Sequence, residues 1–252
     1  MIMEQAFWKS NILICILLFN FTMITYASAQ DSEFKQLATY KEDVTGDGMK
    51  ETIEVKGIPL SDVYYKDIKI VVTTDDGKSW EIPYQGGYQP SLKIIDLNHD
   101  QISDLYFQSL IDQDKEMYKH YVHSLKNGKR TEIKLPSHQG ANGKFIDDFN
   151  IEIQIVPHSK PIVIDISNRS EDYIRLNIYN HEGTLLKESP LTIDPIAFYE
   201  PVFISRSKGY GLKSHQYISE GNQSDHLGTI ETLWYYENNQ WIILQTKWIA
   251  SS

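Results

Sequence analysis

The stretch from Asp43 to Val55 reads Asp-Val-Thr-Gly-Asp-Gly-Met-Lys-Glu-Thr-Ile-Glu-Val. A turn rich in Asp and Gly is followed directly by an alternating β-branched run, which predicts a tight loop leading into a strand. A second stretch has the same order, because Asp96-Leu-Asn-His-Asp-Gln-Ile-Ser-Asp104 is followed by the apolar run Leu105–Gln108. We call Asp43–Glu51 loop one and Asp96–Asp104 loop two.

Both loops carry oxygen-bearing side chains at positions 1, 3, 5 and 9. Ca²⁺ binds about six to eight oxygens, and a tight loop with ligands at alternate positions directs such groups at one point. The alternative is that both loops are only polar turns between strands. The predicted ligands of loop one are Asp43, Thr45, Asp47, the backbone carbonyl of Met49, and Glu51. Those of loop two are Asp96, Asn98, Asp100, the backbone carbonyl of Ile102, and Asp104.

The two loops are unequal. Position 6 of such a loop favours a left-handed backbone, which Gly48 of loop one adopts without strain and Gln101 of loop two does not favour. Thr45 offers only a neutral hydroxyl, so loop two has the stronger ligand set and loop one the better turn residue. An EF-hand is not indicated, because the sequence on both sides of each loop predicts strands and an EF-hand needs helices.

The rest of the chain predicts an all-β fold. Short alternating or β-branched runs recur between turn residues, and Asp76-Gly77, Asn127-Gly128 and Glu182-Gly183 are typical hairpin turns. Asn238-Asn239 predicts the turn of the last hairpin, and one helical segment is predicted near Ile111–Met117. The predicted strands are Glu51–Lys56, Ile68–Thr73, Ser91–Ile95, Asp104–Gln108, Tyr118–Leu125, Ile151–Val156, Ile162–Ile166, Tyr173–Tyr179, Thr229–Tyr236 and Trp241–Thr246.

The N-terminal sequence predicts export. Lys9 precedes an apolar run from Ile12 to Ile24, and Ala27 and Ala29 form an Ala-x-Ala cleavage site. We therefore predict a signal peptide over residues 1–29 and a single β-rich domain over residues 30–252. The apolar run is shorter than the roughly 18 residues of a spanning helix, so no stable membrane insertion is expected after cleavage. The alternative is an uncleaved membrane anchor.

Composition limits the function of the exported chain. Cys15 is the only cysteine and lies in the predicted signal peptide, so the exported chain has neither a disulfide nor a cysteine nucleophile. The formal net charge is −10, and Glu4 and Lys9 of the signal peptide cancel, so the exported chain keeps that charge. This balance argues against nucleic acid as a partner, because phosphate binding requires clustered Lys and Arg. It is compatible with cation binding.

The spacing of the loops predicts an internal repeat. Asp43 and Asp96 are 53 residues apart, and Phe203–Gly211 begins 107 residues after Asp96 with Ser205 and Ser207 at its third and fifth positions. A period of about 50 with several strands per unit is typical of propeller blades or related β-repeat arrays. The sequence therefore predicts an irregular or small β-propeller-like repeat array with Ca²⁺-binding loops between strands.

These loops resemble those of FG-GAP and VCBS repeat-containing proteins, in particular secreted VCBS-type proteins of Bacillus and relatives. The resemblance rests on Asp-x-Thr-Gly-Asp-Gly-x-x-Glu in loop one, on Asp-x-Asn-x-Asp-x-x-x-Asp-Leu in loop two, and on the stretch from Tyr210 to Trp248 with its Asp225-His-Leu-Gly228. It implies an extracellular or surface protein with calcium loops between the strands of a β-propeller, and it does not imply an activity. Such proteins carry a third calcium loop where Phe203–Gly211 stands here.

The sequence contains no His-Glu-x-x-His, no Gly-x-Ser-x-Gly and no phosphate-binding loop. The predicted function is non-enzymatic, a calcium-stabilised module that is secreted or held at the bacterial cell surface and binds an extracellular protein or glycan. One alternative is a secreted polysaccharide hydrolase or lyase with structural calcium and a pair of catalytic carboxylates. A third possibility is an immunity-like or envelope-associated partner protein. The aromatic residues Trp80, Trp234, Tyr235, Tyr236, Trp241 and Trp248 belong either to a sugar-binding platform or to the core.

Overall fold

The computed structural model describes residues 33–113, 116–137, 141–155, 160–188, 191–220 and 226–251, with only the backbone of Glu220. The chain divides into two units, Met1–Glu33 and Phe34–Ser252, and all the secondary structure below belongs to the second unit. The predicted signal peptide lies outside the described residues. In the described part of the chain, no helix is long and apolar enough to cross a membrane.

Seven antiparallel strands form the first sheet, and they follow one another in chain order. Each strand pairs with the next because short connections bring sequential antiparallel strands together. The strands are β1 (Lys35–Glu42), β2 (Glu51–Pro59), β3 (Tyr64–Thr73), β4 (Ser79–Ile95), β5 (Asp104–Asp112), β6 (Met117–Ser124) and β7 (Thr131–Glu132).

The long strand β4 bends the first sheet. Its first half pairs with β3 and its second half with β5, and the two halves meet at Tyr88, next to Gln89 with a φ of +46°. A register shift at this point marks a bulge, which bends a strand and increases its twist. Tyr84 of the first half consequently stacks on Phe107 of β5, with ring centroids 4.0 Å apart. The two halves of the sheet therefore enclose a common core.

The first core lies between these halves. It is built from the inward-facing residues, which alternate with outward-facing ones along each strand. Because this core is filled by side chains that pack well on strands, β2, β3 and β5 are rich in β-branched and aromatic residues. Its buried members are Val44, Ile53, Val55, Ile68, Ile70, Val72, Ile82, Tyr84, Leu92, Leu105, Phe107 and Leu125.

Two smaller sheets follow in the chain. The second sheet has the strand order β10-β9-β8, and the third sheet has its four strands in chain order. The second sheet contains β8 (Asn142–Ile146), β9 (Asn150–Gln154) and β10 (Ile162–Asp165). The third contains β11 (Leu191–Ser205), β12 (Gly209–Glu220), β13 (His226–Glu237) and β14 (Gln240–Ala250). The helical elements are α1 (Ser170–Arg175) and two 3₁₀ turns, Lys126–Gly128 and Ser167–Arg169.

One face of the third sheet packs on both other sheets. At one end Leu212 and Trp234 are buried in a cluster with Tyr106 of the first sheet. At the other end Ile218 is buried in a cluster with Ile151 of the second sheet. Leu212 and Ile218 share this face because side chains alternate along a strand with a period of two. The third sheet therefore joins the first sheet to the second.

Two predictions of local structure are wrong. Tyr173–Tyr179 is not a strand, since Tyr173 lies in α1 and the chain turns at Asn177, whose φ is +56°. The Asn177 N–H donates to the Ile174 carbonyl and the Ile178 N–H to the Tyr173 carbonyl, which is the Schellman ending of a helix. The helix predicted near Ile111–Met117 is replaced by the end of β5 and the start of β6, and residues 114–115 lie outside the described part.

The all-β prediction is confirmed, but the predicted repeat array is wrong. The three sheets contain seven, three and four strands, with no repeated unit among the described residues. Phe203–Gly211, which the predicted repeat takes as its third position, is a hairpin in which Ser205 pairs with Gly209 across β11 and β12. The spacing of the two Asp-rich loops misled the prediction because both belong to the same sheet, where they join β1 to β2 and β4 to β5. They do not join successive propeller blades.

Candidate functional site

Four connections of the first sheet contact one another in a region that we call the loop end. They are loop one, the turn 74–78 between β3 and β4, loop two, and the turn Lys126–Gly128 after β6. The Asn127 N–H donates to the Thr45 carbonyl at 2.8 Å, and the Trp80 indole N–H donates to the Gly128 carbonyl at 3.0 Å.

Loops one and two pack directly on each other at the loop end. A Cβ placed on Gly46, whose φ is +79°, would overlap Cδ1 of Ile102, so that side chain would have to shift. Ile102, whose backbone carbonyl is the ligand predicted at position 7, thus also contacts loop one through its side chain. The bend of β4 is what brings the two loops together.

Loop one holds its acidic side chains by hydrogen bonds within nine residues. Glu51 is 1% exposed and accepts hydrogen bonds from the Val44 N–H at 2.8 Å and the Thr45 hydroxyl at 3.0 Å. Asp43 accepts from the backbone N–H groups of positions 4 and 6, at 2.6 and 2.9 Å. Asp47 accepts from the Met49 N–H at 2.8 Å. Loop one therefore presents its carboxylates in a fixed arrangement.

Three of these carboxylates form one cluster. One oxygen each from Asp43, Asp47 and Glu51 lies within 4.8 Å of the other two. Like charges at this separation repel each other, and a cation among them would convert the repulsion into attraction. Carboxylate oxygens are the ligands that Ca²⁺ prefers, so the donor set fits this ion. Of the other predicted ligands, Thr45 touches the cluster through its hydroxyl bond to Glu51.

Loop two follows the same backbone path as loop one, but the surroundings of its carboxylates differ. Asp104 is fully buried and accepts hydrogen bonds from the Leu97 N–H at 3.0 Å, the Asn98 N–H at 3.2 Å and the Asn98 side-chain amide at 3.2 Å. Burial raises the pKa of Asp104 to about 7, and the nearby charges of Asp100 and Asp96 act in the same direction. The backbone N–H donors oppose this rise.

The remaining acids of loop two accept hydrogen bonds from their own loop, as in loop one, and one of them also pairs with a lysine outside the loop. Asp96 accepts from the N–H groups of Asp100 and Gln101, at 3.2 and 3.0 Å. Asp100 accepts from the Ile102 N–H at 3.1 Å and lies 3.3 Å from the Lys126 ammonium. In the ranges that the structure describes, the one group of three or more acidic, His or Cys ligands this close together is that of loop one. Lys126 thus pairs with a predicted ligand of loop two, whereas Lys50 of loop one pairs with Glu42, outside the carboxylate cluster.

The left-handed backbone predicted at position 6 is confirmed in both loops. Gly48 has a φ of +86° and Gln101 a φ of +70°. A side chain in this conformation costs roughly 1–2 kcal/mol relative to glycine, so Gln101 is strained. The common loop shape is maintained at that cost.

We expect Gln101→Gly to raise the free energy of unfolding by about 1 kcal/mol, because it removes this strain. Gly48→Ala should lower the free energy of unfolding by a similar amount, since an added Cβ at Gly48 meets nothing within 4 Å and the backbone alone responds. Urea unfolding of both variants and the parent measures the effect. Coincident unfolding midpoints for the three proteins would contradict it.

Two polar grooves border the loops. The loop-one groove, of about 540 Å³, lies between loop one and the turn 74–78. The loop-two groove, of about 630 Å³, lies between loop two, β7 and the β13–β14 hairpin. The loop-one groove is lined by Thr45, Gly46, Asp47, Met49, Thr74, Asp75, Asp76, Lys78, Trp80, Asn127 and Gly128. The loop-two groove is lined by Asn98, Asp100, Thr131, Glu132, Ile133, Lys134, Leu135, Tyr236, Asn239 and Trp241.

The tryptophans considered as a sugar platform do not share one surface. Trp234 is 5% exposed, and Trp248 packs against the cluster that joins the second and third sheets. Trp80 and Trp241 border the loop-one and loop-two grooves, respectively. Core packing is therefore the role of two of them, and the other two remain candidates for ligand contact.

The topology also brings together a Ser-His-Asp group that sequence reasoning missed. Ser219 Oγ lies 3.0 Å from His226 Nδ1, and Asp194 Oδ2 lies 3.9 Å from the same nitrogen. A catalytic triad needs its serine and its acid at opposite nitrogens of the imidazole. Because both contact Nδ1, this geometry does not support proton relay.

A second group missed from the sequence connects the first sheet to the third. Tyr106 donates its hydroxyl proton to the Tyr199 carbonyl at 2.8 Å, and the Tyr199 N–H donates to His120 Nε2 at 3.2 Å. His120 Nδ1 lies 2.7 Å from the Tyr106 oxygen and therefore donates to it. This arrangement requires a neutral imidazole, and burial lowers the pKa of His120 to about 4. No sequence signal links these residues, because the packing of two sheets brings them together.

Comparison with known proteins bears on the C-terminal half of the chain. Residues 139–249 match the family model described as the YybI C-terminal domain. The matched segment runs from β8 to all but the last residue of β14 and excludes both Asp-rich loops. No curated protein and no solved structure matches the chain.

The resemblance to FG-GAP and VCBS proteins is wrong. The stretch from Tyr210 to Trp248, on which it partly rested, falls within the segment that matches a different family. Within the described residues, the strands also form no propeller-like repeat array. The Asp-rich loops do not identify the family, because short oxygen-rich turns before strands occur in many folds.

Proposed function

We propose that the chain is an exported, non-enzymatic binding module whose loop end is braced by Ca²⁺ in loop one. The observation that carries this proposal is the cluster of Asp43, Asp47 and Glu51, with ligand oxygens within 4.8 Å of one another. The cluster lies where four connections meet, and such connections on a rigid scaffold are common places for binding. Export would expose it to calcium near millimolar concentration, which fills weak sites.

The ion would stabilise the loop end through its position between two strands. Asp43 follows β1 directly and Glu51 begins β2, so one ion would tie the end of one strand to the start of the next. The Thr45 carbonyl accepts from Asn127, which couples loop one to the turn after β6. An ion present at ten times its dissociation constant adds about 1.4 kcal/mol to folding stability, because it binds only the folded chain.

Loop two stays a predicted second site. Its ligands would be Asp96, Asn98, Asp100, the Ile102 carbonyl and Asp104, as the sequence indicates. Calcium there would have to replace Lys126 beside Asp100, which lies 3.3 Å from the ammonium. We therefore propose that loop one binds calcium more tightly than loop two.

Thermal unfolding in calcium and in EDTA tests the proposal. We expect about 2 mM Ca²⁺ to raise the melting temperature by about 3–6 °C, the shift that about 1.4 kcal/mol produces in a chain of this size. Asp47→Asn should abolish the shift, because it removes an exposed charged ligand while keeping the side-chain shape. Asp100→Asn is the matched control in loop two and should retain it. An unchanged melting temperature of the parent, or a shift that survives Asp47→Asn, would overturn the assignment.

A further inference from the structure

A row of polar side chains, which we call the polar row, crosses the face of the third sheet that packs on the other two sheets. It lies between the cluster that contains Leu212 and the cluster that contains Ile218. Its members are Ser214, Gln216 and Thr232, with exposed fractions of 0%, 4% and 0%. Ser214 pairs with Thr232 across β12 and β13, and Gln216 lies two residues further along β12, so all three project from the same face. Burying these groups costs free energy unless they form hydrogen bonds.

The hydrogen bonds within the protein leave part of the polar row unpaired. The Ser214 oxygen accepts from the Trp234 indole N–H at 2.9 Å, and its own hydroxyl proton stays available for donation. The Gln216 side-chain N–H donates to the Asp194 carbonyl at 2.7 Å, which identifies Gln216 Oε1 as an acceptor. In the part of the chain that the structure describes, Gln216 Oε1 and the Thr232 hydroxyl oxygen are buried and have no hydrogen-bond partner. Native proteins pair nearly all such groups with protein atoms or with ordered water.

The unpaired groups match the hydrogen-bonding capacity of water. One water molecule can accept from the Ser214 and Thr232 hydroxyls and donate to Gln216 Oε1, which gives the three hydrogen bonds typical of a buried water. Ser214 and Thr232 have small side chains, whereas the next pair on this face is Leu212 and Trp234, so the row is recessed between bulkier neighbours. The row contains no charged side chain to bind an ion, and an apolar ligand would leave all three groups unpaired.

We infer that Ser214, Gln216 and Thr232 bind one buried water molecule, which joins β12 to β13 between the two apolar clusters. The row of hydroxyls continues to the edge of the sheet, because Thr232 pairs with Thr246 of β14 and Thr246 is partly exposed. Among the described strands, β14 pairs with β13 alone. The Thr246 hydroxyl therefore offers the water a polar route for exchange with solvent.

A crystal structure of the full chain in EDTA, at a resolution that shows ordered water, tests the site directly. We expect electron density for one oxygen at about 2.5–3.0 Å from Ser214 Oγ, Gln216 Oε1 and Thr232 Oγ1. Direct hydrogen bonds among these three groups, with no density between them, would overturn the inference. The measurement needs no calcium, so its result is independent of the ion proposed for loop one.

Thr232→Val tests the energetic role of the water through the sign of its effect. Valine has the shape of threonine but cannot donate, so the water would lose one partner. We expect the equilibrium constant of unfolding, measured with urea in EDTA, to rise about fivefold, as for the loss of one hydrogen bond. If the Thr232 hydroxyl had no partner at all, its removal would relieve the cost of burying it, and the constant would fall.

Thr229→Val is the matched control. Thr229 lies on the same strand but on the opposite face, and it is partly exposed. Its replacement should change the unfolding constant by no more than about twofold. An unchanged or lower constant for Thr232→Val would overturn the inference, and so would equal rises in the two variants, because the effect would then not depend on the polar row.

Discussion

Replacing Glu51 with alanine is expected to lower the free energy of unfolding by about 2–3 kcal/mol in EDTA and by about 3–5 kcal/mol in calcium. Glu51 is 1% exposed, and its two oxygens accept from the Val44 N–H and the Thr45 hydroxyl. Truncation leaves both donors buried without a partner, which accounts for the loss in EDTA. The additional loss in calcium arises because the variant also lacks the buried ligand of the carboxylate cluster.

Glu54→Ala is the control for this variant. Glu54 lies on the same strand with its side chain partly exposed, 2.8 Å from the Lys56 ammonium. Because exposed ion pairs contribute little, its loss should cost less than about 1 kcal/mol in either condition. Urea unfolding of the parent and both variants, in calcium and in EDTA, gives the six free energies needed. If calcium stabilises Glu51→Ala as much as the parent, Glu51 is not a calcium ligand.

Acid is expected to weaken the contact between the first and third sheets through His120. Burial lowers the pKa of His120 to about 4 in the folded protein, against about 6.5 in the unfolded chain. Between these values the unfolded chain binds the proton more readily, so the contribution of His120 is complete above pH 6.5 and is lost as the pH falls through 4. The loss amounts to at most about 3 kcal/mol. Protonation would also turn Nε2 into a donor facing the Tyr199 N–H.

His120→Gln isolates this effect. The amide keeps one donor and one acceptor for Tyr106 and Tyr199 but does not titrate. Other groups titrate in the same range, including Asp104, whose pKa burial raises to about 7. The quantity of interest is therefore the difference between parent and variant, measured by urea unfolding at several pH values from 7 to 4. His181→Gln, at an exposed position, should follow the parent. A constant difference between parent and His120→Gln across this range would contradict the prediction.

The turns and several strands of this fold were predictable from local sequence. Asp76-Gly77 turns between β3 and β4, and Asn238-Asn239 turns between β13 and β14 with φ values of +52° and +60°. These positions are predictable because Gly and Asn tolerate positive φ and because the flanking runs have a period of two. The conformation of such a turn depends on a few neighbouring residues, and sequence patterns are most informative over that range.

Other strands could not be predicted for identifiable reasons. β11 contains Pro195 and Pro201, which lack the N–H donor of a ladder and indicate a break in a strand. The structure accommodates Pro195 where the register of β11 shifts, between Ile193 and Ile196. β12 contains Gly211, where any Cβ would overlap the Trp234 carbonyl, so glycine there reflects the close approach of β13. The register shift at Pro195 and the glycine at position 211 both depend on a neighbouring strand.

The sequence alone determined the shape of the two Asp-rich loops, including the left-handed sixth position, because the hydrogen bonds that define each loop run within nine residues. Only the tertiary structure decided which loop gathers its carboxylates. Lys126 reaches Asp100 from another connection, and the bend of β4 at Gln89 brings these connections together. The shape of a turn depends on neighbours in the chain, whereas the electrostatics of a carboxylate depend on every charge that the fold places beside it.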